Sequence, residues 1–210
     1  MKYTINSTKS VTYKEKRSEF IGFVKPIRNV ENVNQYLKKL KSKYPSARHI
    51  CWAYRIFIND EIIENSTDAG EPSGSAGLPI LNVLKHYNII NCGIFVVRFF
   101  GGVKLGKQGL INAYKTTAEL VIADSVLQKW KPKAQYILNA SIKFYGKIAY
   151  IVHQNNGKII KDQTTEKLNL LIELPLERFS IFKIEYEEIR QNSGTIKKQS
   201  EHDQTKEVRK

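Results

Sequence analysis

Residues 92–110 read CGIFVVRFFGGVKLGKQGL. The apolar run centred on Ile94-Phe95-Val96-Val97 has strand length and predicts a buried strand over 92–100. Gly101 to Gly109 holds four glycines and predicts a loop, not an element interior. Past it, Leu110, Ala113, Tyr114, Thr117, Leu120 and Val121 fall on one side of a helix. Arg98 is the odd residue in this strand–loop–helix unit. A charge at the end of an apolar strand persists only if it is paired or solvated at the sheet rim. Asp68 and Glu71 are its candidate partners.

The same order of elements stands upstream. Residues 48–58 predict a strongly apolar strand, Asn59-Asp60 a turn, and 61–64 a short partner strand. The loop Asp68-Ala69-Gly70-Glu71-Pro72-Ser73-Gly74-Ser75-Ala76-Gly77 follows. It opens a helix with Leu78, Leu81, Leu84 and Lys85 in register and Pro79 in its tolerated first turn. Further toward the start, residues 3–25 predict two strands. Asn29 caps a helix with Val30, Val33, Leu37, Leu40 and Tyr44 on its apolar face, ended by Pro45.

Lys131-Pro132-Lys133 predicts a linker, beyond which the pattern restarts. A strand over 135–143, a helix over 144–155, strands over 158–164 and 167–174, a helix from Pro175 and a last short strand at Gly194 follow in turn. That order, βαββαβ, is the ferredoxin-like arrangement. The expected fold class is α+β in two domains, 1–131 and 134–197, with a disordered tail over 198–210 that alternates in charge and lacks apolar anchors.

The chain has 210 residues, 34 Lys plus Arg against 20 Asp plus Glu, and a net charge of +14. Residues 1–130 carry 19 basic and 10 acidic side chains, and the remainder 15 and 10, so the excess is spread over both parts. Such a balance suits a polyanionic partner such as nucleic acid or the ribosome. No apolar run is long enough to cross a membrane as a helix. The first residues lack the apolar core of a signal peptide. Two cysteines, Cys51 and Cys92, exclude a disulfide scaffold and a four-cysteine zinc site. The expected location is a reducing cytoplasm.

Both glycine loops open helices, whose outward amides and dipole favour an anion. Asp68 and Glu71 repel a phosphate unless they bind a cation or cap the helix. Lys104 and Lys107 are placed to face phosphate. Neither loop has Rossmann or Walker spacing. His49 and Cys51 share one face of a strand by alternation, but a cysteine in an apolar strand is more often an inert buried thiol. No metal-ligand spacing, cofactor motif or catalytic triad order is present, so no catalytic residue, metal or cofactor is expected.

These segments resemble the YigZ/IMPACT family. The resemblance rests on Lys16-Arg17-Ser18-Glu19-Phe20-Ile21, Ala47-Arg48-His49 with Cys51 just after, and the first glycine loop with Pro79-Ile80-Leu81. Most specific is Val97-Arg98-Phe99-Phe100-Gly101-Gly102-Val103-Lys104-Leu105-Gly106, continuing to Gly109-Leu110 and Ala113-Tyr114. Together they run through most of residues 15–122; residues 134–197 resemble the family's bacterial C-terminal domain in pattern more than in motif. The resemblance implies an N-terminal domain like the second domain of small-subunit ribosomal protein five. It implies a C-terminal domain like the fifth domain of elongation factor G. Eukaryotic relatives bind an activator of a starvation-responsive translation kinase and restrain that kinase; they carry a different accessory domain, so the resemblance does not extend that partner to this chain. Ala69 stands where relatives often have a second acidic residue, Leu78 where lysine is common, and Lys107-Gln108 where Thr-Gly is common.

Three functions follow as expectations. The first is a non-enzymatic, translation-associated regulatory protein that binds RNA, the ribosome or a translation factor. The second is an enzyme or binding protein for a small phosphorylated ligand held by the two loops. The third is a protein-interaction adaptor. The expected ligand- or partner-binding residues are Arg48, His49, Asp68, Glu71, Ser73, Ser75, Arg98, Gly101, Gly102, Lys104, Gly106 and Lys107.

Overall fold

The apolar run read first is a strand buried along nearly its whole length, and its alternate residues serve two different cores. Cys92, Ile94 and Val96 point to one side, Phe95 and Val97 to the other. The computed structural model describes residues 1–58, 61–190 and 194–199, and divides into two units, Met1–Trp130 and Lys131–Lys210.

In the first unit the elements run β1 (Tyr3–Ile5), β2 (Lys9–Glu15), β3 (Ser18–Pro26), α1 (Val30–Lys43), β4 (His49–Ile58), β5 (Glu61–Thr67), α2 (Gly77–His86), β6 (Cys92–Phe99), α3 (Gly106–Ala123) and β7 (Leu127–Lys129). The main sheet has the order β2-β3-β6-β4-β5, with every neighbouring pair antiparallel. Helices α2 and α3 cover one face through Ile80, Leu84, Ala113 and Tyr114. Helix α1 lies on the other, packing Val33 and Leu40 against Phe23, Phe95 and Val97. The order of β3, β6 and β4 sets His49, Arg98 and Phe20 side by side at one sheet end, where both glycine loops arrive.

Three expectations change here. Residues 3–25 form three strands, because β1 leaves the main sheet to pair with β7, a strand too short for periodicity to reveal. Leu78 and Leu120, expected inward, are exposed at 49% and 42%. The inward stripe of α2 runs instead through Ile80, Leu81, Val83 and Leu84. Val30, at the first position of α1, is likewise exposed, whereas Val33 of the same turn is buried. Asn29 does cap α1, its side chain accepting from the Asn32 amide at 2.9 Å.

The second unit contains β8 (Lys133–Ser141), α4 (Tyr145–Gln154), β9 (Lys158–Asp162), β10 (Lys167–Pro175), α5 (Phe179–Arg190) and β11 (Gly194–Lys198). Its sheet order is β11-β8-β10-β9, all antiparallel, which is the ferredoxin-like topology. The fold is therefore α+β in both units. Leu138, Leu168, Leu170, Ile172 and Phe182 fill the core between this sheet and α4 and α5. Leu176, expected on the inward face of the last helix, lies in a single 3₁₀ turn before it and is exposed. Of the expected tail, Lys198 ends β11, and residues 200–210 lie outside the described residues.

Candidate functional site

Alternation along β6 turns Arg98 toward the α2–α3 face, where it is 7% exposed. The chain meets that cost with a partner from the first glycine loop. Arg98 Nη1 donates to both carboxylate oxygens of Glu71, at 2.7 and 3.0 Å, and Glu71 is itself buried. Tyr114, on the inward side of α3, donates its hydroxyl to Glu71 Oε1 at 2.8 Å. Arg98 Nη2 lies 3.5 Å from Ser18 Oγ, and its guanidinium sits 5.4 Å from the Phe20 ring and 5.6 Å from the Phe100 ring. One buried ion pair thus joins β6, α3, the first loop and the start of β3.

The first loop holds itself in shape with Asp68. Its Oδ2 accepts from the Gly74 amide at 2.8 Å, and its Oδ1 from the Ala76 and Gly77 amides at 2.9 and 2.8 Å. These are the amides that open α2, so the anion at this helix start is the chain's own carboxylate. Burial opposes charge on Asp68. The amide hydrogen bonds, with Lys107 nearby, outweigh it and hold the carboxyl below the usual aspartate range. Gly77 must be glycine for a different reason: a Cβ would meet the Thr67 backbone at 2.7 Å. Ser75 is fully buried and donates to the Pro72 carbonyl at 2.6 Å, while Ser73 is exposed.

His49 and Cys51 brace the same loop from β4. His49 Nδ1 donates to the Ala69 carbonyl at 2.9 Å. Cys51 Sγ lies 3.0 Å from the Asp68 carbonyl oxygen and 3.3 Å from the Tyr114 hydroxyl. Burial pushes the Cys51 thiol up to about 12, so it is not a thiolate nucleophile at neutral pH. Tyr114, buried and already donating to Glu71, is also held well above the ordinary tyrosine range. His49 and Cys51 of β4 and Arg98 of β6 thus each contact the first loop.

The second loop lies against the β2–β3 hairpin turn, where Lys16 and Arg17 take the left-handed conformation at φ 42° and 69°. A Cβ on Gly101 would stand 2.0 Å from the Arg17 carbonyl carbon and oxygen, and the Gly101 amide donates to Ser18 Oγ at 3.3 Å. Gly102 and Gly106 have φ of 83° and 72° and face open space. Lys16, Arg17, Lys104 and Lys107 are all exposed, as is Phe100. Helix α3 begins without a side-chain cap, since Leu105 stands at the capping position.

The two loops are therefore brought together, with an uneven division of charge. Their carboxylates, Asp68 and Glu71, are turned inward onto amides and Arg98, while their lysines are turned outward. Tyr114, Ser18 and Cys51 belong to this network without standing among the expected binding residues, although a tyrosine on a buried helix face needs a hydroxyl partner. Arg48 is exposed beside the first loop. Among the described residues no group of three or more His, Cys, Asp or Glu is placed to hold a metal ion. Among them, too, no helix is long and apolar enough to cross a membrane.

Residues 16–122, which include every loop and support just described, match the family model of the Impact N-terminal domain. The chain belongs to the IMPACT family. It is 41% identical over 98 residues to IMPACT family member YvyE of Bacillus subtilis, a match that covers 47% of this chain and 45% of that protein. It is 29% identical over 168 residues to IMPACT family member YigZ of Escherichia coli, covering 80% and 82%. The chain thus spans less than half the length of the Bacillus relative and about four-fifths of the Escherichia relative. A solved structure described as a hypothetical protein superposes with a TM-score of 0.72 at 26% identity, over 95% of this chain and 97% of that one.

Proposed function

We propose that this IMPACT family member is a translation-associated regulatory protein that binds RNA, on its own or within the ribosome or a translation-factor complex. The reading rests on the division of charge at the paired loops. Asp68 and Glu71 are used internally, so the charges that the two loops turn outward are Lys104 and Lys107, beside Arg17 of the adjoining turn. A phosphate backbone is the partner such a rim suits without any base-reading motif. The exposed backbone at Gly102 and Gly106 allows that backbone to approach closely, and exposed Phe100 offers an aromatic face beside it. Residues of the paired loops, with Arg48, form the proposed contact surface; Arg98, Glu71, Asp68, His49 and Ser75 set its shape.

The test is copurification, read as the absorbance ratio at 260 and 280 nm before and after a high-salt wash. Nucleic acid that is retained at low salt and released by salt supports the reading. A stoichiometric nucleotide that survives the wash would replace it with a small phosphorylated ligand. Protein free of both would point to an adaptor that binds other proteins.

A further inference from the structure

Helix α1 covers only part of its sheet face, and the uncovered part is aromatic. Trp52, Tyr44 and Phe99 are only partly buried there. Between the C-terminal half of α1, β4 and Ala69 of the first loop lies a concavity of about 480 Å³. Leu37, Tyr44, Ile50 and Trp52 line it, with the exposed cations Lys41 and Arg48. No carboxylate lines it. The Trp52 ring is stacked on Tyr54 at 5.6 Å between centroids and 12° between planes, which fixes its orientation. On the other side of α1 a second concavity of about 400 Å³ repeats the chemistry, with Tyr36 beside Lys25, Arg28 and Lys39 and again no carboxylate.

We propose that the groove beside Trp52 takes one unpaired nucleotide of an RNA strand, its base stacked on the aromatic floor and its phosphate held between Arg48 and Lys41. This rests on the RNA-binding reading above and assigns a base-contacting site to it. The size lies within the range of small-molecule sites, roughly 300–1,000 Å³. A flat aromatic floor edged by cations is how sequence-tolerant single-strand sites are built, since every base has a π-face and every nucleotide a phosphate. An acidic peptide would match the cations equally but makes no particular use of an oriented indole. Ala69 connects the groove to the first loop, so a strand lying along the loop rim has a path into it.

The experiment uses the full chain carrying Trp130→Phe, which leaves Trp52 as the single tryptophan. A single-stranded oligouridylate of about a dozen nucleotides should quench Trp52 emission, and a blunt RNA duplex, whose bases are paired, should not. In a binding titration Trp52→Ala should weaken the single strand about tenfold, with Trp52→Phe retaining most of the affinity. The exposed double variant Lys41→Ala/Arg48→Ala should also weaken it, without the risk of unfolding that attends Trp52→Ala. RNA that binds with Trp52 emission unchanged, and equally to the parent and the double variant, would overturn the groove while leaving the RNA reading intact. No RNA binding at about 50 mM salt would remove both. Quenching by polyglutamate but not by RNA would overturn the nucleotide in favour of an acidic protein segment.

Discussion

Arg98 and Glu71, 27 positions apart, form an ion pair of 2.7 Å in which both side chains are more than nine-tenths buried. Such a pair contributes little against well-packed apolar residues, but removing one member strands the other charge. Its position is what matters: it fastens the first glycine loop to the strand from which the second departs.

Glu71→Ala should therefore lower the unfolding free energy of the first unit by about 3–5 kcal/mol in urea titrations. Arg98→Met/Glu71→Leu should recover much of that loss, because it leaves no unpaired charge. A double variant no more stable than Glu71→Ala would show that the pair acts through more than its charge.

Asp68 gives a pH signature. Its folded carboxyl titrates below the ordinary value, so the stability it adds is complete above the unfolded aspartate pKa of about 3.9 and is lost as pH falls through the folded value. At neutral pH Asp68→Asn should cost about 1–2 kcal/mol. The gap between parent and variant should stay constant above about pH 5 and narrow below about pH 4.

The glycines divide into two kinds. Gly101→Ala puts a methyl 2.0 Å from the Arg17 backbone and should detach the second loop from the β2–β3 turn, with a loss of several kcal/mol. Gly74→Ala and Gly102→Ala meet open space and carry only the cost of a left-handed φ, about 1–2 kcal/mol each. Thermal melts of the three variants should rank Gly101→Ala well below the other two.

Much of this site was legible in the sequence, and the missing part has a physical cause. The unbroken apolar run of 92–97 marks β6. The glycines around it mark the loops, and a lone arginine at its end signals a buried partner with Asp68 and Glu71 as the choices. Periodicity shows which side of a helix faces inward but not what each side chain meets there. Tyr114, 43 residues from Glu71, read as one more apolar position. Ser18 read as part of a motif, not as a hydroxyl shared by Arg98 and the Gly101 amide. Arg55 read, beside Tyr54, as a basic residue next to an aromatic that could stack a base, not as a buried ion-pair member. It is buried among apolar neighbours, pairs with Glu64 at 3.1 Å and donates to the Ile89 carbonyl at 3.2 Å just past α2.

Both cysteines are buried and free, with the Cys51 thiol pushed up to about 12 by burial. A colorimetric thiol reagent at pH 8 should find neither in the folded protein and both in denaturant. Fast reaction of one thiol in the native state would reopen Cys51 as a nucleophile.

In the proposed function the paired loops bind a phosphate backbone through outward lysines while their inward charges keep the shape. The most direct measurement is single-stranded RNA affinity as a function of salt for the parent and for Lys104→Ala/Lys107→Ala. Two lost phosphate contacts should reduce the slope of log K against log salt by about 1.4 and weaken binding at low salt, with the melting temperature lowered only slightly through the lost attraction between Lys107 and Asp68. An unaltered slope and affinity in the double variant would contradict the claim and place the nucleic-acid surface elsewhere on the protein.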